Sequence, residues 1–190
     1  MIRPAVGEQT TLADRKRWAA QRLILGFEGT TPSAEFRKFV RDAPPAGFIL
    51  FARNIEEPAQ VRELNRELAA MVPDHSPALL TVDQEGGRVL RVRATPWPPM
   101  RFLGNIDDEQ ATRQVGHAMA QELRAMGFNL DWAPCADVDS NPANPVIGDR
   151  SFSREPSAVG RHVAAFLGGL HDAGVMGAVK HFPGHGDTDS

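Results

Sequence analysis

Five short, nearly continuous apolar runs alternate with amphipathic stretches, and this order constrains the fold more than any single residue does. The runs are 23–27 (LILGF), 47–51 (GFILF), 78–82 (ALLTV), 128–132 (FNLDW) and 175–179 (VMGAV). Each has the length of a strand and lacks strict polar alternation, as expected of a strand covered on both faces. Between them, Val61, Leu64, Leu68 and Met71 share one helical face, with Asn54 before them as a candidate cap and Pro58 in the first turn. Val115, Ala118, Met119, Leu123 and Met126 repeat the pattern up to Gly127. Val159, Val163, Phe166, Leu167 and Leu170 repeat it up to Gly174. A shorter helix is expected from Ser33 to Arg41.

Strand-helix-strand order implies right-handed parallel βαβ units. Two α/β architectures meet that description, an open doubly wound sheet and a (β/α)8 barrel of the TIM type. Periodicity does not choose between them. Polar residues gather where the strands end, at Arg53-Asn54, Asp83-Gln84-Glu85, Asp137 with Asp139, and Lys180-His181. A barrel collects such ends into one mouth, and the long Pro-, Gly- and Asn-rich loops after the third and fourth strands suit a substrate rim. The barrel is preferred. A complete one takes about 250 residues and eight strands, whereas five strands and four intervening helices are readable here. The expectation is therefore an incomplete barrel, a single partial domain over residues 1–190, cut within a longer protein.

Composition removes several function classes. Of 190 residues, 42% are hydrophobic and 24% charged, an ordinary globular balance. A net charge of −3 offers no basic excess for phosphate backbones, so no nucleic-acid partner is expected. No run approaches the roughly 18 apolar residues of a membrane span, and Met1 to Ala20 carries six charged residues without an apolar core, unlike a secretory signal. The lone Cys135 allows no internal disulfide. A cytoplasmic location with no membrane partner is the expectation.

Three strings carry chemistry. VDQEGGRVLR, residues 82–91, sets two acids, two glycines and two arginines beyond the third strand. Asp83 can accept from hydroxyl groups and Arg91 can donate a fork of bonds, while Gly86-Gly87 permits a sharp turn or a close approach to a ligand. A solvated turn with an internal salt bridge explains the same residues equally well. In the loop 137–152, Arg150 is the ligand-reaching group. Asp137 and Asp139 could ligate a metal, but Asp and Asn in such loops more often bond nearby backbone N–H groups. KHFPGHGDT, residues 180–188, is the most specific string. Its Pro and Gly residues exclude the helical His pair of a zinc protease. For Lys180 and His181, sugar binding, a Schiff-base lysine and a metal site all remain open.

LFARN (50–54), VDQEGGRVLR (82–91), APCADVDSNPANPVIGDRSF (133–152) and KHFPGHGDT (180–188) resemble, in order and spacing, the catalytic barrel of bacterial glycoside hydrolase family 3 β-N-acetylhexosaminidases. The resemblance runs from about Leu23 onward, and KHFPGHG is closer to the hexosaminidase branch than to the family's β-glucosidases. It implies that Asp83, Arg91, Arg150, Lys180 and His181 bind a terminal N-acetylglucosamine, without metal or organic cofactor. It also implies a retaining mechanism through a covalent glycosyl-enzyme. The family's acid/base is a His paired with an Asp on the loop after KHFPGHG, thirteen residues past the Lys and hence past Ser190. Its nucleophilic Asp follows a later strand. No catalytic residue is therefore assigned here, and His185 and Asp187 match structural positions of the motif. The implied partner is an amino-sugar oligosaccharide of peptidoglycan or chitin type, with residues 1–190 inactive by themselves. A family 3 phosphorylase, a β-glucosidase, and a sugar-binding or self-associating partial barrel are the alternatives.

Overall fold

The computed structural model describes residues 11–73 and 77–188. The reading of the first ten residues as free of an apolar core, and of positions 189 and 190 as loop, lies outside the described residues.

All five apolar runs form strands of one parallel sheet: β1 (Ile24–Leu25), β2 (Gly47–Leu50), β3 (Leu79–Val82), β6 (Leu130–Asp131) and β7 (Met176–Gly177), in the spatial order β1-β2-β3-β6-β7. Between β3 and β6 a short antiparallel hairpin, β4 (Gln84–Gly86) and β5 (Val89–Leu90), stands apart from the sheet. The main sheet never reverses its order. A doubly wound sheet must reverse where its two halves meet, whereas a barrel adds each new strand on the same side. Sheet order thus selects the barrel-type architecture, here with five strands. The strands are shorter than the apolar runs that announced them.

Four helices match expectation: α2 (Ala34–Asp42), α3 (Pro58–Ala70), α5 (Glu109–Ala125) and α6 (Pro156–Asp172). Ser33 caps α2 by accepting from the Phe36 N–H at 3.1 Å, and Gly127 and Gly174, with φ of 88° and 77°, follow α5 and α6 in the left-handed region. The apolar stripes face the sheet. Val40, Phe48, Leu50, Val61, Leu68 and Leu123 sit in one core cluster, and Met119, Phe152, Phe166 and Leu170 in a second between α5 and α6. Burying each of these larger side chains contributes about 1.5–3 kcal/mol.

Two helices were not expected. α1 (Leu12–Ala20) buries only Ala20, so it has no apolar stripe to betray it. Its signal is instead a capping box, in which Thr11 Oγ1 accepts from the Asp14 N–H and Asp14 Oδ2 accepts from the Thr11 N–H, both at 3.1 Å. α4 (Met100–Ile106) is seven residues long and follows two prolines. Asn54 is not the cap of α3. That cap is Glu57, without a side-chain bond. Asn54 is buried in the turn before it, donating to the Phe27 and Gly29 carbonyls at 3.0 and 2.7 Å, and so ties the end of β2 to the loop after β1. Among the described residues, no helix is long and apolar enough to cross a membrane.

Candidate functional site

The carboxyl ends of β3, β6 and β7 deliver most of the polar residues singled out above to one rim. Asp83 directly follows β3, Lys180 follows β7, and a parallel bridge between Cys135 and Lys180 ties the segments after β6 and β7 together. Lys180 Nζ donates to Asp83 Oδ1 at 2.6 Å and lies 2.6 Å from Glu85 Oε1. Arg150, in the single turn Gly148–Arg150, forks onto Glu85 from Nε and Nη2 at 2.8 and 2.9 Å. Its Nη2 also reaches His181 Nε2 at 3.3 Å. Since a guanidinium only donates, His181 Nε2 accepts there. The other ring nitrogen, Nδ1, then carries the hydrogen and donates to Asp137 Oδ2 at 2.5 Å.

Four of the five expected binding residues, Asp83, Arg150, Lys180 and His181, thus form one bonded chain. Arg91 is further out. Its Nη2 lies 4.0 Å from Asp83 Oδ2, the outer limit of an ion pair, and its Nε is buried without a hydrogen-bond partner among the described residues.

The hub is Glu85, two residues from Asp83 and not among the binding residues the resemblance implies. Burial pushes its carboxyl up, but the Arg150 fork and the Lys180 charge outweigh burial and hold it below the usual carboxylate range. The same fork holds Arg150 above its ordinary value against the opposing effect of burial. A second unassigned acid, Asp131, ends β6 fully buried. Its Oδ1 accepts from the Gln84 N–H at 2.9 Å, and its Oδ2 has no partner among the described residues. Burial, with Asp83 and Glu85 nearby, pushes it well above the usual range despite Lys180. An acid inside the apolar run 128–132 was its visible signal.

The loops behind these groups are tightly braced. Gly86 and Gly87 have φ of 96° and 54°, and a Cβ on either would meet Pro98 O at 2.2 Å or Pro99 Cβ at 2.7 Å. The close approach they permit is therefore to the chain's own Pro98-Pro99 segment. Arg88 donates to the Pro145 and Ile147 carbonyls at 3.2 and 3.0 Å and pairs with Asp149 at 3.2 Å, which clamps the loop bearing Arg150. Gln84 accepts from the N–H groups of Arg91 and Val92, both at 3.0 Å, and so fixes the hairpin.

Asp137 accepts from the His181 N–H at 3.2 Å, from the His185 N–H and from Cys135 Sγ at 3.2 Å. Burial opposes its ionisation, but the His181 bond, the His185 amide and the Cys135 bond together keep it below the usual range. Asp139 departs from the local-amide expectation. It pairs with Arg101 at 2.9 Å and Arg154 at 3.2 Å, and Arg101 also donates to the Gly148 carbonyl at 3.2 Å, so Asp139 braces the turn that bears Arg150. Cys135, Asp137 and His181 also form a group whose ligand atoms all lie within 4.8 Å of one another, and burial pushes the Cys135 thiol up to about 12. Beside Asp137 and His181 opens a cavity of about 400 Å³, bounded further by Pro183, Asp187 and Thr188. His185 turns its Nδ1 to Thr188 Oγ1, as a loop brace would.

The family model described as Glycosyl hydrolase family 3 N terminal domain matches residues 15–190. A β-hexosaminidase of Pseudomonas aeruginosa is 43% identical over 167 residues, covering 86% of this chain and 49% of that protein. One from Nitrosomonas eutropha is 42% identical over 172 residues, with the same two coverages. The chain therefore spans about half the length of these relatives. Among solved structures, a glycoside hydrolase family 3 β-N-acetylglucosaminidase from Paenibacillus sp. str. FPU-7 superposes with a TM-score of 0.86 at 39% identity, covering 95% of this chain and 34% of that one. NagZ from Neisseria gonorrhoeae, solved with N-trifluoroacetyl-D-glucosamine, gives 0.80 at 36% identity, covering 87% and 51%.

Proposed function

The chain belongs to glycosyl hydrolase family 3, and we propose that the protein carrying it is a retaining β-N-acetylhexosaminidase that releases terminal β-N-acetylglucosamine from peptidoglycan or chitin-type oligosaccharides. The chain contributes the sugar-binding part of the barrel rim as one partial domain. The nucleophile and the His–Asp acid/base pair are expected outside these 190 residues, which by themselves bind without cleaving.

The observation that carries this reading is the bonded chain Asp83–Lys180–Glu85–Arg150–His181 at the strand ends. A pyranose presents neighbouring hydroxyls that each donate and accept. Recognising them takes fixed acceptors beside fixed donors. Lys180 has three N–H donors, of which Asp83 and Glu85 engage two, leaving one for a hydroxyl. Asp83 keeps Oδ2 for a second hydroxyl, with Arg91 alongside. Glu85 is buried and orients both cations, so the sugar meets a preformed surface. The names of the relatives, and the amino sugar held by the neisserial protein, support the same substrate class. The single free cysteine suits a reducing, cytoplasmic setting.

The test is release of the chromophore from a chromogenic β-N-acetylglucosaminide by the full-length protein, with Lys180→Ala and Arg91→Ala as variants. Each variant is expected to lose activity while keeping its far-ultraviolet circular dichroism. Unimpaired turnover in both would sink the assignment.

A further inference from the structure

We propose that Cys135 Sγ, Asp137 Oδ2 and His181 Nδ1 form a binding site for a borderline-soft divalent transition ion of the zinc class, and that filling it antagonises sugar binding at the adjoining rim. Metal binding stands on its own geometry. The antagonism rests on the reading of His181 as a sugar contact.

The backbone already brings the three groups together. Cys135 and Asp137 are two residues apart after β6, and His181 follows Lys180, whose segment is held to them by the Cys135–Lys180 bridge and by the Ala136 N–H donating to the Lys180 carbonyl at 2.6 Å. Sγ lies 3.2 Å and Nδ1 2.5 Å from the same Asp137 oxygen, and all three atoms fall within 4.8 Å of one another. With metal bonds of about 2.3 Å to sulfur and about 2.0 Å to nitrogen or oxygen, the edges of a tetrahedron are roughly 3.3–3.5 Å. The imidazole must draw back from Asp137 by about 1 Å, and Sγ and Nδ1, which lie within 4.8 Å, must settle at about 3.5 Å from each other. A thiolate, an imidazole and a carboxylate suit zinc or cobalt and disfavour magnesium and calcium, which prefer all-oxygen shells. Asp137 and His181 also line the neighbouring cavity, which supplies an entry path and room for a fourth, non-protein ligand.

Ligation has a definite proton balance. The S–H bond of Cys135 breaks as the sulfur–metal bond forms, and that proton leaves to solvent. On His181 the hydrogen leaves Nδ1, whose lone pair takes the metal, and one is gained at Nε2. Net, one proton is released. Nε2 then becomes a donor facing the Arg150 Nη2 donor that it accepts from at 3.3 Å in the metal-free arrangement. Two donors cannot share that contact, so His181 and Arg150 must part, and the preformed rim is lost.

The test titrates cobalt(II) chloride into the chelator-treated full-length protein and reads thiolate-to-cobalt charge-transfer absorption with the bands of four-coordinate cobalt. The expected result is a saturable band at one cobalt per chain that zinc chloride displaces and that Cys135→Ser abolishes. Should Cys135→Ser fail to fold by circular dichroism, the partly exposed His181→Ala is expected to abolish the band in its place. No band, or a band that survives in a folded variant, overturns the site. N-acetylglucosamine affinity, measured by calorimetry, is expected to fall at least about tenfold at saturating zinc, the scale of one lost charged hydrogen bond. Unchanged affinity with the metal bound overturns the antagonism. Absence of sugar binding before any metal is added would instead overturn the sugar reading, while the cobalt band reports on the site independently.

Discussion

Arg150 holds Glu85 through two parallel bonds of 2.8 and 2.9 Å, and Lys180 approaches the same carboxylate at 2.6 Å, so one buried negative charge sets the position of two cations. Removing a single partner from a buried ionic group is costly because the remaining charges stay desolvated. Glu85→Gln keeps the shape and deletes the charge. Arg150 and Lys180 retain slight solvent access, so a loss of about 2–4 kcal/mol is expected, somewhat below the range for fully buried pairs. Urea unfolding of the two proteins measures it, and equal midpoints would refute the hub role.

Glu85 and Asp131 predict opposite slopes of stability with pH. The folded value of Glu85 lies below its ordinary 4.5, so its contribution is present above 4.5 and is lost as pH falls through the folded value. The folded value of Asp131 lies well above its ordinary 3.8, so its contribution is full below 3.8 and is lost as pH rises through the folded value. Relative to the parent, Asp131→Asn is therefore expected to gain stability as pH rises from about 3.8 and to show a constant difference below it. Urea midpoints across that range check the sign. A difference that does not vary with pH would show that burial does not penalise the Asp131 charge.

The sheet was legible because its five strands come from short runs of nearly continuous apolar character, and their chain order matches their spatial order, although β1 and β7 are only partly covered. Strand ends were less so, since pairing depends on twist and neighbours rather than on apolar character. The helix Leu12–Ala20 escaped because its apolar residues form no buried stripe, with Leu12 and Trp18 exposed, although Thr11 and Asp14 carried its start in plain view. At the site, Asp83, Arg150, Lys180 and His181 could be named from their strings. What joins them could not be. Glu85 lies two residues from Asp83, and its role arises only when Arg150, 65 residues later, folds over it. The pairing of Asp137 with His181 spans 44 residues and likewise exists only once β6 and β7 are neighbours.

Lys180 also allows a direct test of the Schiff-base alternative. Its Nζ is a donor in two ion pairs of 2.6 Å, with Asp83 and with Glu85. Adding to a carbonyl would require the amine to give up both contacts and strand two carboxylates at the rim. Borohydride treatment with a small aldehyde or keto sugar is expected to leave the mass of the peptide containing Lys180 unchanged. A reduced adduct on that peptide would restore the lyase reading.

Two glycines with opposite surroundings test how firmly the loop after β7 is seated. A Cβ at Gly186 would stand 1.8 Å from the Val138 carbonyl oxygen, a contact with backbone that cannot swing aside. That junction lies beside Asp137, which holds His181 and the His185 amide. Gly186→Ala must push the loop away from residue 138, at an overpacking cost of about 1–3 kcal/mol, and it should loosen His181 in the process. Gly160 sits in the exposed middle of α6 with nothing within 4 Å of its would-be Cβ. There the same substitution only removes backbone freedom from the unfolded chain and should stabilise by about 0.5–1 kcal/mol. Thermal melts of the two variants are expected to shift in opposite directions, and only Gly186→Ala should also weaken N-acetylglucosamine binding. If Gly186→Ala melts and binds like the parent, the loop is not locked against residue 138 and His181 owes its place to Asp137 and Arg150.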